Sequence, residues 1–111
     1  MATMEFEGQN YEVDEEGYLM DWAEWKEGMA AVMAKEDGIE LGEEHKVVIA
    51  FLREYFEKYQ IAPMIKILTK ELKKKYGKDK GSTKYLYELY PAGPAKQACR
   101  YAGLPKPTGC V

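Results

Sequence analysis

The stretch EEHKVVIAFLREYFEKY, residues 43–59, is the longest run of helical periodicity in the sequence. Its apolar residues recur at intervals of three and four positions, which places them on one wide face of a helix. They are Val47, Val48, Phe51, Leu52, Tyr55, Phe56 and Tyr59. A stripe of this width is typical of a helix that packs into a core, so the segment predicts the central helix of a mostly helical domain.

The segments upstream predict a β-hairpin and then a first helix. In MEFEG (4–8) and NYEV (10–13) apolar and polar residues alternate, as they do in strands with one buried face. A helix is then expected to begin near Asp21, where Asp21 and Glu24 form a variant of the capping box. Gly38 is expected to end that helix.

Three more helices are predicted after the central one. Pro63 fits the first position of the third helix, which should stop at Gly77. Ser82 is a good cap for a short fourth helix. Pro94 opens the fifth, PAKQACRYAG, and Gly103 is expected to take the left-handed conformation just past its end.

The whole chain is predicted to be one mostly α domain with a flexible C-terminal arm. Residues 1–103 form the compact five-helix core domain with its N-terminal β-hairpin. The arm is residues 104–111, where Pro105 and Pro107 forbid regular helix and favour an extended path.

Composition points to a soluble protein of the cytoplasm. The chain has 111 residues, 46% of them hydrophobic and 32% charged, which is ordinary for a globular domain. It has no run of roughly 18 to 20 apolar residues, so membrane insertion is not expected. The first ten residues lack the basic and apolar regions of a signal peptide. The first half is acidic and the second half basic, which favours oriented docking to a partner.

The two cysteines are the residues that most clearly suggest chemistry. Cys99 lies in the fifth predicted helix, and Cys110 is the penultimate residue. In the cytoplasm such a pair is more often exchangeable than structural, because thiols are kept reduced there. An arm with glycines at residues 103 and 109 can carry a thiolate outward for disulfide exchange or persulfide formation, and then return it.

Basic residues near the cysteines are candidates for tuning a thiolate or contacting a partner. They are Lys96, Arg100 and Lys106. Two alternatives remain open. A static disulfide between the cysteines would stabilise the terminus by about 3 kcal/mol in the chain-entropy model, and Cys99 would otherwise be a small core residue.

His45 is the only histidine, and metal-ligand spacings are absent around it and around the cysteines. We therefore expect no metal site. His45 is predicted to cap the central helix or to lie at the edge of the core.

The segment KILTKELKKKYGKDKGSTK, residues 66–84, is strongly basic and joins two predicted helices across a glycine-containing turn. This layout resembles a helix-turn-helix with a basic face, and so indicates DNA or an acidic protein as a partner. Its candidate contact residues are Lys70, Lys73, Lys74, Lys75, Lys78 and Lys80. Two features argue against DNA binding. The protein as a whole is acidic, and the segment contains no arginine, the residue that most often contacts bases.

The C-terminal segment GPAKQACRYAGLPKPTGCV, residues 93–111, closely resembles the signature of the DsrC/TusE family. Residues 6–25, 36–56 and 81–100 also follow that family in order, so the resemblance covers nearly the whole chain. It implies a helical core with a helix-turn-helix-like element, a small hairpin and a mobile arm. One departure is Tyr101, where many members carry a smaller aliphatic residue.

The resemblance implies that Cys110 is the sulfur-carrying residue of a cytoplasmic co-substrate, the gamma subunit of dissimilatory sulfite reductase. Cys110 would accept partly reduced sulfur as a persulfide, and Cys99 would attack it to form a trisulfide or a disulfide. The implied partners are the alpha and beta subunits of the reductase and a membrane electron-transfer complex that reduces the trisulfide. Sirohaem and iron–sulfur clusters would belong to the reductase, because two cysteines are too few to ligate a cluster in this chain.

Two alternatives to that function remain. Members that serve sulfur relay for tRNA 2-thiouridine synthesis, with sulfurtransferases as partners, generally lack the second cysteine, so Cys99 favours the sulfite reductase branch. The other alternative is a DNA-binding regulator that uses the lysine-rich turn.

Overall fold

The N-terminus forms a two-stranded antiparallel hairpin in the computed structural model, which describes residues 2–106. Strand β1 is Ala2–Phe6 and strand β2 is Gln9–Val13, with Phe6 paired to Gln9 across the turn. The alternation in the sequence predicts the turn at residues 8–10, between the two alternating runs, whereas this pairing makes it Glu7 and Gly8. Both have positive φ (48° and 81°), as a two-residue turn matching the strand twist requires.

The first helical segment is split in two, which corrects the helix expected from Asp21. Asp21 Oδ1 accepts a 3.0 Å bond from the Ala23 amide, but caps only a 3-10 turn at Trp22–Glu24. The chain is extended at the next two residues, and α1 runs over Glu27–Glu36. Tertiary contacts explain the break, since the Trp22 carbonyl accepts a bond from Arg53 and the Trp25 indole bonds to the far end of the chain.

The central helix α2 spans Glu43–Tyr59, as predicted. His45 caps it: the Gly42 amide donates to Nδ1 at 3.1 Å, so Nε2 carries the proton and donates to the Leu89 carbonyl at 2.9 Å. The buried face is narrower than predicted. It consists of Val48, Ile49, Leu52 and Phe56, whereas Val47 and Tyr59 are exposed.

Two helices follow α2. Helix α3 is Ile65–Tyr76, two residues later than the prediction from Pro63, and it ends at Gly77 as expected. A 3-10 turn at Lys78–Gly81 leads to α4, Thr83–Leu89, which Ser82 caps through a 3.1 Å bond from the Tyr85 amide. The order helix, turn, helix does not by itself support a DNA-binding helix-turn-helix, and that interpretation gains nothing further from the structure.

Helix α5, Pro94–Tyr101, begins at Pro94 as predicted and packs against α1 and α2. It ends in a Schellman motif: the Leu104 amide donates to the Cys99 carbonyl, and the Gly103 amide donates to the Arg100 carbonyl. Gly103 has the expected positive φ of 73°. Six of the eight residues of α5 are buried, so this helix lies within the core.

The five helices and the hairpin make a mostly helical domain with a Cα radius of gyration of 13.2 Å. No helix within residues 2–106 is long and apolar enough to cross a membrane. The predicted boundary between core domain and arm stays a prediction. Leu104, the first residue of that arm, is buried, and residues 107–111 lie outside the described part of the chain.

Candidate functional site

Cys99 faces the core from α5 and is fully buried. Burial raises the pKa of the phenols of Tyr18 and Tyr90, and a charge on the Cys99 thiol would raise both further. The Tyr18 hydroxyl donates a 3.2 Å bond to the Lys96 carbonyl, which fastens the turn after β2 to the start of α5. Cys99 is thus buried on a helix whose first turn is bonded to the segment that follows the hairpin.

Burial raises the pKa of the Cys99 thiol from 9.0 to about 12. Transfer into an apolar interior disfavours the charged form, and a thiolate is the nucleophile in sulfur exchange. In this conformation Cys99 is therefore both inaccessible and protonated.

Arg100 is bound to acidic side chains at the end of α1. One guanidinium nitrogen donates to Asp37 Oδ2 at 2.9 Å, and another donates to Glu36 Oε1 at 3.2 Å. Its side chain is only 19% exposed. Because these contacts direct the guanidinium to α1, the predicted effect of Arg100 on the thiolate stays a prediction.

Lys96 and Arg100 line one surface cleft of about 220 Å³, together with Glu16, Tyr18, Asp37, Ala92 and Gln97. We call this the α5 cleft. Lys106 lies nearby, because its ammonium group forms a 2.8 Å ion pair with Glu16. The structure therefore places Lys96 and Arg100 in one cleft and Lys106 beside it, through Glu16.

Cys110, the predicted sulfur-carrying residue, lies outside the described residues, as does its distance to Cys99. The roles predicted for both cysteines stay predictions. So does the expectation that this chain binds no cofactor or metal of its own.

The six candidate lysines of the basic segment lie on α3 and the following turn, mostly exposed. Two of them contact α2: Lys80 pairs with Glu44 at 3.3 Å and also bonds to Tyr85, and Lys75 lies 3.8 Å from Glu54. Lys70, Lys73, Lys74 and Lys78 are exposed side chains. DNA binding by this surface stays a prediction that no contact supports.

Sequence reasoning missed the residues that fix α5. Asp37 Oδ2 accepts from the Tyr101 hydroxyl at 2.6 Å and from Gln97 Nε2 at 3.1 Å, besides Arg100. Burial alone would raise the pKa of Asp37, but these hydrogen bonds and the Arg100 charge hold it below its usual 3.8. The sequence offered one signal for this network. Tyr101 stands where many members of the family carry a smaller aliphatic residue, and a buried phenol needs a polar partner.

A second missed group fastens the C-terminal end of α5. Arg53 donates to the Ala102 carbonyl at 2.8 Å and to the Trp22 carbonyl at 3.1 Å. Its guanidinium also lies 4.4 Å from the ring centroid of Trp25, whose indole nitrogen donates to the Tyr101 carbonyl at 2.8 Å. Only the folded chain brings these residues together, because they come from three separate segments.

The fold and the sequence define a class: small, mostly helical proteins with an N-terminal hairpin, a buried cysteine on the helix α5 and a second cysteine at the penultimate position of the sequence. The sequence model of the family described as DsrC like protein matches residues 5–111. The chain belongs to this DsrC-like family, as the sequence resemblance indicated.

Relatives carry two kinds of name. The sulfurtransferase TusE of Pectobacterium atrosepticum is 46% identical over 97% of this chain and 99% of its own length. The solution structure of Allochromatium vinosum DsrC is 62% identical, with a TM-score of 0.90, and the match covers 98% of this chain and 97% of that one. The oxidised gamma subunit of dissimilatory sulfite reductase from Archaeoglobus fulgidus is 48% identical, with a TM-score of 0.86, over 99% and 100% of the two chains.

Proposed function

We propose that this protein is a sulfur carrier that accepts sulfur on Cys110 and passes it to another protein. In the loading step the Cys110 thiolate attacks the outer sulfur of a donor persulfide. A new S–S bond forms at Cys110 as the donor S–S bond breaks, and the donor leaves as a thiolate. The exchange needs no external oxidant or reductant.

The observation that carries this proposal is the burial of Cys99. A relay step needs one accessible thiol, and a second cysteine that is buried, with a pKa of about 12, does not compete for the incoming sulfur. The similarity to proteins named sulfurtransferase TusE supports the same role. A relay toward tRNA 2-thiouridine, with sulfurtransferases as donor and acceptor, is therefore better supported than the sulfite reductase role that Cys99 favoured. We place the relay in the cytoplasm, where thiols stay reduced.

The second candidate is the co-substrate of dissimilatory sulfite reductase. It is favoured by the presence of Cys99 on α5 and by the names of the solved structures, which include a chain from dissimilatory sulfite reductase I that is 41% identical. In this role the alpha and beta subunits of the reductase and a membrane electron-transfer complex are partners. Cys110 would receive sulfur that is only partly reduced, as Cys110–S–S–OH. Cys99 would have to leave the core and attack the outer sulfur, so that the new S–S bond of the trisulfide forms as the S–OH bond breaks and water leaves.

Mass spectrometry of loaded protein separates the two candidates. The wild type, Cys99→Ser and Cys110→Ser proteins are incubated with a cysteine desulfurase charged with persulfide, and the peptides are then mapped. We expect one added sulfur atom on the Cys110 peptide in the first two proteins and none in the third. Loading that survives Cys110→Ser would overturn the carrier function itself.

The second arm uses sulfite reductase, sulfite and a reductant. A relay protein gives no bridged product, and the Cys99→Ser variant still passes its sulfur to an acceptor thiol. One sulfur atom bridging the Cys99 and Cys110 peptides, lost in both variants, would instead establish the sulfite reductase role.

A further inference from the structure

A single carboxylate oxygen accepts hydrogen bonds from three residues on one face of α5. Asp37 Oδ2 accepts hydrogen bonds from Gln97, Arg100 and Tyr101, at 3.1, 2.9 and 2.6 Å. These positions are spaced by three and four residues, so they lie on one face of the helix. The Tyr101 hydroxyl also accepts from Gln97 Nε2 at 3.1 Å, which closes the network.

Asp37 is poorly placed to stabilise its own helix. It is the C-cap residue of α1, directly after Glu36, and the negative end of a helix dipole disfavours a carboxylate there. The three hydrogen bonds that Asp37 accepts from α5 offset the unfavourable interaction of its carboxylate with the α1 dipole. The carboxylate therefore acts between α1 and α5 rather than within α1.

Cys99 lies on the side of α5 that faces away from this network. At 3.6 residues per turn, Cys99 lies roughly 150° around α5 from the Asp37-bound face and about 60° from Lys96. Lys96 is partly exposed and lines the α5 cleft, whereas Cys99 is fully buried. A rotation of α5 by less than a quarter of a turn would thus bring the thiol toward the cleft.

We propose that Asp37 is a positioning residue for Cys99, because its contacts with α5 fix the rotation of that helix and keep the thiol in the core. A partner that competes for Arg100 or Asp37 at the α5 cleft would release the helix and make Cys99 available. This inference holds whether Cys110 works in a relay or with sulfite reductase, so its test is independent of the sulfur-loading experiments.

The test measures how fast Cys99 is labelled in folded protein. A Cys110→Ser background leaves Cys99 as the only thiol, and 4,4′-dithiodipyridine is the small uncharged probe. Tyr101→Phe and Asp37→Ala remove contacts of the network. Tyr90→Phe is the matched control, because Tyr90 is equally buried and its hydroxyl donates a 2.8 Å bond to the His45 carbonyl on α2.

Global stability is measured by urea unfolding of the same proteins, so that labelling through complete unfolding can be subtracted. We expect Tyr101→Phe and Asp37→Ala to raise the labelling rate about tenfold beyond the change that global stability accounts for. Tyr90→Phe should raise it only in proportion to its loss of stability. Glu36→Gln, which leaves all three Asp37 contacts in place, should label like the parent protein.

Labelling rates that follow the global unfolding equilibrium in every variant would overturn the proposal. Asp37 has a partly exposed side chain, so Asp37→Ala carries the test if Tyr101→Phe does not fold. Hydrogen exchange of the α5 amides gives a second readout, and faster exchange confined to α5 in both network variants is the expected result.

Discussion

Gly103 lies so close to the indole of Trp25 that a Cβ built on the glycine would overlap the ring. The same indole donates a hydrogen bond to the Tyr101 carbonyl, and Arg53 covers its face. The end of α5 is therefore packed between a tryptophan and an arginine from two other segments. These contacts anchor the C-terminal end of α5, just before the segment of the sequence that contains Cys110.

Gly103→Ala is expected to destabilise the protein more than Gly38→Ala. Both glycines follow a helix in a Schellman motif with nearly equal φ (73° and 74°), so both variants carry the backbone strain of a left-handed alanine. Only the Cβ at residue 103 meets Trp25, whereas nothing lies within 4 Å of one at residue 38. We expect the difference in the free energy of unfolding to be about 1–3 kcal/mol, measured by urea denaturation. Equal losses of unfolding free energy in the two variants would show that Trp25 moves aside without an energetic cost.

The thiol of Cys99 is expected to resist alkylation in the folded protein. Iodoacetamide should leave the Cys110→Ser variant unmodified near neutral pH and modify it fully in denaturant, because the native thiol is buried and protonated. The folded pKa of about 12 exceeds the reference value of 9.0. Burial of the neutral thiol therefore stabilises the folded state, and this contribution is complete below pH 9.0. It is lost as pH rises toward 12.

Modification should accordingly increase steeply above about pH 9 as the folded state weakens. The Cys99→Ser variant, in which Cys110 is the remaining thiol, serves as the control for the intrinsic pH dependence of the reagent. A native Cys99 that reacts at neutral pH as fast as the denatured protein would contradict the buried position.

Asp37→Asn is expected to lower stability at neutral pH but not in strong acid. The carboxylate pKa is held below 3.8 by hydrogen bonds from α5 and by Arg100, so the ionised form is favoured in the folded state. That contribution is present above the unfolded value of 3.8 and is lost as pH falls through the lower folded value. Urea unfolding at a series of pH values should show the curves of the wild type and the variant converging below about pH 4.

Glu36→Gln is the matched control for Asp37. Its carboxylate is 60% exposed and contacts Arg100 from outside, so we expect an effect below about 0.5 kcal/mol. A constant difference between wild type and Asp37→Asn from neutral to acid pH would instead attribute the loss to packing alone.

Arg53→Lys is expected to destabilise the protein by about 1–3 kcal/mol, although the substitution keeps the charge. The planar guanidinium donates to two carbonyls, those of Trp22 and Ala102, and lies against the indoles of Trp22 and Trp25. An ammonium group cannot form that pair of divergent bonds and also stack on both rings. Urea denaturation measures the loss.

Lys58→Gln provides the control, since Lys58 lies over the exposed ring of Tyr59 and should matter little. A loss of the same small size for Arg53→Lys would mean that the two carbonyls find other donors.

Local signals in the sequence predicted the elements whose ends depend on near neighbours. Ser82 caps α4, Pro94 begins α5 and Gly103 ends it, because a cap, a fixed φ and a left-handed residue act within one turn of chain. Periodicity likewise identified α2 and its bounds. The elements that differ from prediction are those that distant residues reshape, as at Trp22–Lys26, where contacts to Arg53 and Tyr101 replace a helical turn.

The sequence by itself determined the helical class, the family and the two cysteines, because periodicity, helix caps and a continuous C-terminal signature are all readable along the chain. Only the tertiary structure decided that Cys99 is enclosed and protonated, and that Asp37 and Arg53 fasten its helix. A buried thiol and an exposed one have the same letter in the sequence. Their pKa and reactivity depend on which groups surround them, and the residues that hold the Cys99 helix in place, Asp37 and Arg53, lie more than forty positions before it in the sequence.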